Sequence, residues 1–542
     1  MPESSRATTT HRRLLLLCFL SSSALCFVLS EPVEAEEEIV SRSHFPDGFL
    51  FGTTTSAYQI EGAYLDDGKG LSNWDVFCHV PGNIKENGNG DTADNHYNLF
   101  LEDIELMHSL GVTAYRLSIS WTRILPRGRY GEVNPMGIMF YNRILDHLVL
   151  KGIEPFVTIH HHDIPQELAD RYGGWLSPLM QEDFVHFARI CFESFGHKVK
   201  HWATINEANL FVDMAYIRGW YPPSHCSPPF GKCSAGNSDV EPLIALHNMI
   251  LAHGKAVKIY RQEFQGKQGG SIGIVLHAMW YEPLRANNEL DQQAVTRGLA
   301  FGVGWLLDPL VYGDYPSEMR LFLGDALPRF TVDEMDYLKG SIDYIGINHY
   351  LTLYAKDCLH SSCAPGGSDH AIRGYVYTTG DRDGVPIGQP TGNARFFVVP
   401  GGLKNIVNYM KQRYNNMPMY VTENGYAPPP GEEVQLNQIL HDVKRIDYHK
   451  SYLAAVASSI RDGADVRGYF AWSLMDNFEW IDGYTVRYGL YYVDRTTLKR
   501  IPKISALWYR DFLANSSGNG LDLTQYHGRL EQDLRVAGLE DL

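Results

Sequence analysis

The stretch HWATINE, residues 201–207, is a short β-branched and aromatic run that ends on an amide and a carboxylate. It follows a segment, 181–195, whose apolar residues recur with a helical period. The same unit repeats along the chain. Candidate strands fall at 49–59, 114–120, 155–161, 201–207, 271–280, 343–350, 419–423 and 467–474, and helix-like stretches at 97–110, 140–150, 181–195, 243–264, 403–414 and 442–461. Eight strands alternating with helices specify a parallel sheet. At 542 residues its economical closure is a single α/β barrel, a (β/α)8 TIM barrel with long loop insertions around one mouth. An open doubly wound sheet would want a GxGxxG turn opening the first helix and polar strand ends gathered at one switch point, and the sequence has neither.

Charge and composition narrow the function. With 47 Lys and Arg against 63 Asp and Glu the formal net charge is −16, which repels phosphate and argues against a nucleic-acid partner. A content of 44% hydrophobic, 12% aromatic and 20% charged residues belongs to a packed core. Residues 1–35 read as a secretory signal peptide. Arg6, His11, Arg12 and Arg13 precede the apolar run 14–29, three serines break it, and Val33 and Ala35 fit a small-residue cleavage pattern, as do Val28 and Ser30. One barrel domain then covers 36–514, and 515–542 reads as a loose polar tail carrying Asn515 in an Asn-Ser-Ser sequon. No later segment reads as long and apolar enough to span a bilayer, so no membrane association is expected once the signal is removed.

Of the 8 cysteines, Cys18 and Cys26 leave with the signal. Cys226 and Cys233 bracket one short polar loop and Cys358 and Cys363 another, so an oxidising compartment would close each as a local disulfide. Cys78 and Cys191 sit among apolar neighbours and read as buried free thiols. The two loops lie far apart in the chain, so no zinc site is expected.

The strand ends carry the chemistry. Gln59, Arg116, His161, Asn206 with Glu207, Tyr350, Glu423 and Trp472 stand at the ends of candidate strands, where a barrel places its reacting groups. An amide, a guanidinium, an imidazole, a phenol, an indole and two carboxylates around one cavity suit a polyhydroxylated ligand. The insertions 221–240 and 356–399, rich in Gly, Pro and Ser, would form its rim. Glu207 and Glu423, at the ends of the fourth and seventh candidate strands, should face each other across the mouth, and cleaving an acetal needs such a pair: a proton donor for the leaving oxygen and a stabiliser for the oxocarbenium-like carbon.

Three patterns lead elsewhere. Gly269, Ser271 and Gly273 match GxSxG, but a helical segment precedes and a strand follows, the reverse of a nucleophile elbow. His160, His161 and His162 are neighbours on a strand that point to opposite faces, so they cannot share one ion; at most His161, or the pair flanking it, faces the cavity. NGNGDTADN (87–95) lacks the terminal glutamate of a calcium loop and reads as solvated.

SAYQIEG (56–62), YRLSISWTRILPRG (115–128), TINEA (204–208), GINHY (346–350), VTENG (421–425) and YFAWSLMDNFEW (469–480) resemble, in order, the signatures of glycoside hydrolase family 1 in its plant β-glucosidase branch, from about Phe45 to Phe512. The resemblance implies Glu207 as general acid/base and Glu423 as nucleophile of a retaining mechanism with no cofactor and no metal. It implies Gln59, His161, Asn206, Glu423, Trp472, Glu479 and Trp480 as the residues that hold the glycone, with Arg116 and Tyr350 hydrogen-bonding the nucleophile. Arg116 should keep Glu423 ionised, and Glu207 should gain the proton when Glu423 becomes an ester. A plant secretory destination, cell wall or vacuole, follows from the same resemblance.

The departures bear on specificity. Ala208 replaces the usual proline after the acid. Glu207 stands where thio-glucosidases of the family carry Gln, which implies an O-glucosidase. His162 replaces an aromatic beside the glycone. Arg395 falls where relatives place an aglycone-site tryptophan; it can stack on a ring and donate hydrogen bonds, or it pairs with an acid of the 356–399 loop or points to solvent. The combination resembles enzymes that act on monolignol glucosides such as coniferin. The competing functions are a transglucosidase of the same fold and a catalytically silent sugar-binding relative; oligomeric state is not legible.

Overall fold

The computed structural model describes residues 40–432, 434–514 and 523–536. Eight strands close a barrel in chain order: β1 Leu50–Thr54, β2 Ala114–Ser118, β3 Glu154–His160, β4 His201–Asn206, β5 Ser271–His277, β6 Ile345–Asn348, β7 Met419–Asn424 and β8 Val466–Trp472. All neighbours are parallel, and β1 completes the ring by pairing Thr54 with both Arg116 and Trp472. The expected strands are all present with their ends shifted, most of them shorter than expected and Met419–Asn424 one residue longer. β1 stops at Thr54, so Gln59 sits in the one-turn helix Ala57–Ile60, and Tyr350 lies two residues beyond β6.

The helices between strands include α1 His96–Leu110, α2 Pro135–Leu150, α3 Leu179–Phe195, α4 Glu241–Ile259, α5 Glu289–Leu299, α6 Pro400–Arg413, α7 Val443–Arg461 and α8 Ile504–Ala514. Their sequence logic is plain in α3, where Phe184, Phe187, Ala188, Cys191, Phe192 and Phe195 recur at helical spacing and are all buried. Each Phe there contributes roughly 1.5–3 kcal/mol by leaving water, so Phe187→Ala would cost about 3–5 kcal/mol. Cys78 and Cys191 are buried free thiols, and Cys226–Cys233 and Cys358–Cys363 are both joined.

Inside the barrel, Ala114, Phe156, Ala203, Val275, Tyr344, Tyr420 and Phe470 form one buried layer. The Phe156 ring centroid is 5.3 Å from that of Phe470 and 5.4 Å from those of Tyr344 and Tyr420. This aromatic floor fills the interior beneath the C-terminal strand ends, where a barrel places its reacting groups.

Three expectations need correcting. The helical run Glu289–Tyr312 is long and apolar enough to cross a bilayer by length and composition, but 78% of its most apolar stretch is buried in the fold, which is what a core helix requires. Part of the tail expected to be loose is helical: in α9, Leu523–Val536, Tyr526 and Leu530 lie on one face and are buried, and Arg529 pairs with Asp511 of α8. The calcium-like loop is not solvated throughout, since Asp94 is fully buried and accepts from Arg495 at 2.8 Å. The expected signal peptide, Cys18, Cys26 and Asn515 lie outside the described residues.

Candidate active site

Strand alternation builds the first part of the site. Two residues beyond the floor positions Ala114, Val275 and Phe470 stand Arg116, His277 and Trp472, on the same inward face. On β4 and β7 alternation from Ala203 and Tyr420 would select Ile205 and Thr422. There the register breaks, between Ala203 and Asn206 on β4 and between Val421 and Glu423 on β7. Each slip turns a residue three places on, Asn206 or Glu423, into the cavity. Glu207 then leaves β4 with a left-handed backbone, φ 46°, held by its N–H donating to the Val275 carbonyl at 2.8 Å.

One hydrogen-bond network joins the candidates. Arg116 Nη1 donates to Glu423 Oε1 at 2.5 Å, Arg116 Nη2 donates to Asn206 Oδ1 at 2.6 Å, and the Tyr350 hydroxyl donates to Glu423 Oε2 at 2.8 Å. Asn206 Oδ1 also accepts from Asn348 at 3.1 Å, so its Nδ2 is the donor to His161 Nε2, 3.1 Å away. Burial first, then the charges of His162 and Arg116, hold His161 well below its usual pKa, so the ring is neutral and its proton rests on Nδ1. That Nδ1–H is buried without a protein partner among the described residues.

The two carboxyls are inequivalent. Burial pushes Glu423 up to about 7, against the pull of Arg116 and with the Glu207 charge adding to the rise. Glu207 is also buried, but the hydrogen bond and charge of His277, the charge of His162 and a bond from Asn348 outweigh burial and lower its pKa. The Arg116 cation does favour the ionised Glu423, but the desolvation of the buried carboxyl acts more strongly in the other direction.

A second group forms the side wall. Gln59 Nε2 donates to Asn477 Oδ1 at 2.9 Å, to the Phe478 carbonyl at 2.8 Å and to Glu479 Oε2 at 3.3 Å, while Trp472 Nε1 donates to Glu479 Oε1 at 3.2 Å. Burial holds Glu479 well above the carboxylate range. Trp480 lies 5.9 Å from His161 and 5.1 Å from His162, ring to ring. His161 and His162 thus share the cavity side, contrary to simple alternation, because His162 takes φ 73°, whereas His160 packs among Trp121, Trp175, Phe184 and Phe211. Gly425 explains the glycine of VTENG: a Cβ there would stand 2.0 Å from the Trp472 carbonyl oxygen.

Gln59, Arg116, His161, Asn206, Glu207, Tyr350, Glu423, Trp472, Glu479 and Trp480 are thus linked directly or through shared partners. Arg395 is set apart at an exposed edge, where its Nη2 donates to the Thr378 carbonyl at 2.8 Å and to the Thr378 hydroxyl at 2.7 Å. Sequence reasoning missed His277, Asn348 and Asn477; the first two were legible as inward positions at strand ends, and the third only through its contact with Gln59. Ser271 opens β5 at the opposite end of the barrel and touches His201, 3.2 Å away, far from any elbow geometry. Among the described residues no three His, Cys, Asp or Glu side chains converge as a metal site.

The profile of the family described as "Glycosyl hydrolase family 1" matches residues 41–518. The chain is 55% identical over 478 residues to "Probable inactive beta-glucosidase 14" of Oryza sativa subsp. japonica, covering 88% of this chain and 92% of that protein. It is 51% identical over 482 residues to "Coniferin beta-glucosidase" of Pinus contorta, covering 88% and 93%. The crystal structure of a rice Os3BGlu6 beta-glucosidase superposes with a TM-score of 0.84 at 43% identity, covering 87% of this chain and 99% of that one.

Proposed function

The chain belongs to glycosyl hydrolase family 1, and from that membership we propose that it is a retaining β-glucosidase acting on the β-glucosides of plant phenolic, in particular phenylpropanoid, aglycones. The observation that carries the reading is the buried Glu423, gripped by Arg116 and Tyr350 and within the field of the buried Glu207. In the cycle, Glu423 attacks the anomeric carbon while Glu207 protonates the departing aglycone oxygen. Water, giving its proton to Glu207, then cleaves the glucosyl ester and restores both carboxyls. Gln59, His161, Asn206, Glu479 and Trp480 take the glucose hydroxyls, the orphaned His161 Nδ1–H among the donors, and the Trp472 indole covers a C–H face.

Likeness to a rice relative whose name calls it inactive makes the catalytic pair, rather than overall identity, the support for turnover here. A signal at 1–35 and two disulfides support passage through the secretory pathway. The test is hydrolysis of 4-nitrophenyl β-D-glucoside followed by NMR of the first-formed sugar, with mass spectrometry of enzyme trapped by a 2-deoxy-2-fluoroglucoside. β-Glucose and a label on Glu423 are expected. First-formed α-glucose, or a label elsewhere, would overturn the mechanism, and no turnover would favour the silent sugar-binding alternative.

A further inference from the structure

The register slip that turns Glu423 inward has a counterpart on the outer side of β7. β6 and β7 pair as far as Asn348 with Glu423, and His349 then donates its N–H to the Glu423 carbonyl at 3.0 Å. A continued parallel ladder would bring the N–H of Gly425 to the His349 carbonyl. Here that carbonyl accepts from Asn424 Nδ2 at 2.7 Å, so a side-chain amide takes the place of a ladder N–H where regular pairing ends.

The amide is held in that orientation from outside the barrel. Its Nδ2 also donates to the Tyr448 hydroxyl of α7 at 2.8 Å, and its Oδ1 accepts from the Tyr469 hydroxyl of β8 at 2.8 Å. The Tyr469 oxygen, its proton so committed, accepts from His449 Nδ1, 2.8 Å away. Tyr448 is fixed in turn: its ring stacks 4.0 Å from that of Tyr452, whose hydroxyl accepts from the Val399 N–H at 3.0 Å. Asn424, His349, Tyr448, His449 and Tyr469 are all buried, so water cannot replace a bond that one of them loses. Because the backbone oxygen of His349 can only accept, flipping the amide would break this arrangement.

The residues so joined each adjoin a member of the site. Asn424 follows Glu423, His349 precedes Tyr350, and the Tyr350 hydroxyl donates to Glu423 Oε2 at 2.8 Å. Chain and hydrogen bonds thus make one closed circuit, and a slip of β7 against the residues after β6 strains both contacts together. We infer that Asn424 is a positioning residue for the nucleophile: its amide pins the slipped end of β7 to His349 and so sets the Glu423 carboxyl against the Tyr350 hydroxyl, with Tyr448 and Tyr469 keeping the pin aligned. The inference rests on the reading of Glu423 as the nucleophile and extends it to a group whose bonds lie behind the reacting carboxyl.

The test uses Asn424→Leu, which keeps the volume and removes every bond of the amide, with Tyr448→Phe and Tyr469→Phe, which each remove one. Inactivation by a 2-deoxy-2-fluoroglucoside reads attack by Glu423 directly. Its limiting rate should fall about 10–100-fold in Asn424→Leu, the scale of a misplaced reacting group, and about two- to fivefold in each phenylalanine variant, the scale of one neutral hydrogen bond. Burial raises the Glu423 carboxyl and, behind Arg116, the Tyr350 hydroxyl is among the groups that hold it down, so the alkaline limb of kcat/KM should move to higher pH in the same variants. Inhibition by glucose should change by less than about twofold, because the lost alignment acts on the bond-forming step. Phe187→Leu in α3 is the control for stability alone: it should lower Tm and leave both the limb and the inactivation rate unmoved. A limb and a rate unmoved in Asn424→Leu, or in both phenylalanine variants where the leucine variant does not fold, would overturn the positioning role, as would glucose binding that weakens in step with the rate. Wild-type enzyme that leaves 4-nitrophenyl β-D-glucoside uncleaved would sink the enzymatic reading instead.

Discussion

His277 Nδ1 stands 3.2 Å from Glu207 Oε1, with both side chains buried, and this contact leads the influences that lower the Glu207 pKa against burial. A cation or donor beside a carboxyl favours its charged form, so His277 draws the proton away from the group that must deliver it. His277→Asn should raise the Glu207 pKa, and because Glu207 lies below Glu423 it should move the acidic limb of kcat/KM to higher pH, most clearly for substrates whose leaving group needs protonation. A pH–rate profile checks it; an unmoved acidic limb would assign His277 a packing role alone.

Arg116 opposes the rise of Glu423, so its removal lets that pKa climb further. Arg116→Met should push the Glu423 carboxyl above its present value of about 7, keep the nucleophile protonated over a wider range and, Glu423 being the higher of the pair, move the alkaline limb upward. Loss of the two charge-assisted bonds to Glu423 and Asn206 should also lower kcat by about 10²–10³-fold. A rate profile with an unchanged alkaline limb contradicts the assignment.

The two carboxyls should separate by substrate. Glu423→Gln abolishes turnover of every glucoside, whereas Glu207→Gln costs about 10²–10⁴-fold for a poor leaving group and much less in the first step for an activated phenol. Added azide should restore turnover to the Glu207 variant and yield the β-glucosyl azide. Absence of rescue together with an inverted product would exchange or remove the roles.

Replacing Arg395 by tryptophan should reorder aglycones. Guanidinium stacking is worth roughly 0.5–2 kcal/mol and a hydrogen bond to a polar substituent about 1 kcal/mol more. Arg395→Trp should thus lose about ten- to a hundredfold in kcat/KM on coniferin-like glucosides and keep or gain simple aryl and alkyl ones. A substrate panel with unchanged ranking would leave Arg395 as a strut for Thr378.

The Cys226–Cys233 bond supports the same rim, since Arg218 bridges to Cys226 and a Cβ on Gly219 would meet Cys233 Sγ at 2.2 Å. Replacing both cysteines by alanine should cost about 2–3 kcal/mol of stability. It should raise KM for aryl substrates more than it lowers kcat. Denaturation and steady-state kinetics check both halves.

The sequence by itself determined the barrel, because eight apolar runs with helical segments between them can bury both faces of a parallel sheet in few other ways. It also determined the identities of the strand-end residues, the two disulfide loops and the glutamate pair, since each depends on residue type and local spacing. Only the tertiary structure decided which side chains meet. Strict alternation would have chosen Ile205 and Thr422, and the register slips that bring in Asn206 and Glu423 arise from pairing between strands. The left-handed turn of His162 and the approach of His277 to Glu207 are likewise contacts between segments distant in the chain. Proton placement was hidden for the same reason: residue types name the charges near Glu423, but the desolvation that outweighs Arg116 exists only once the barrel has closed around both.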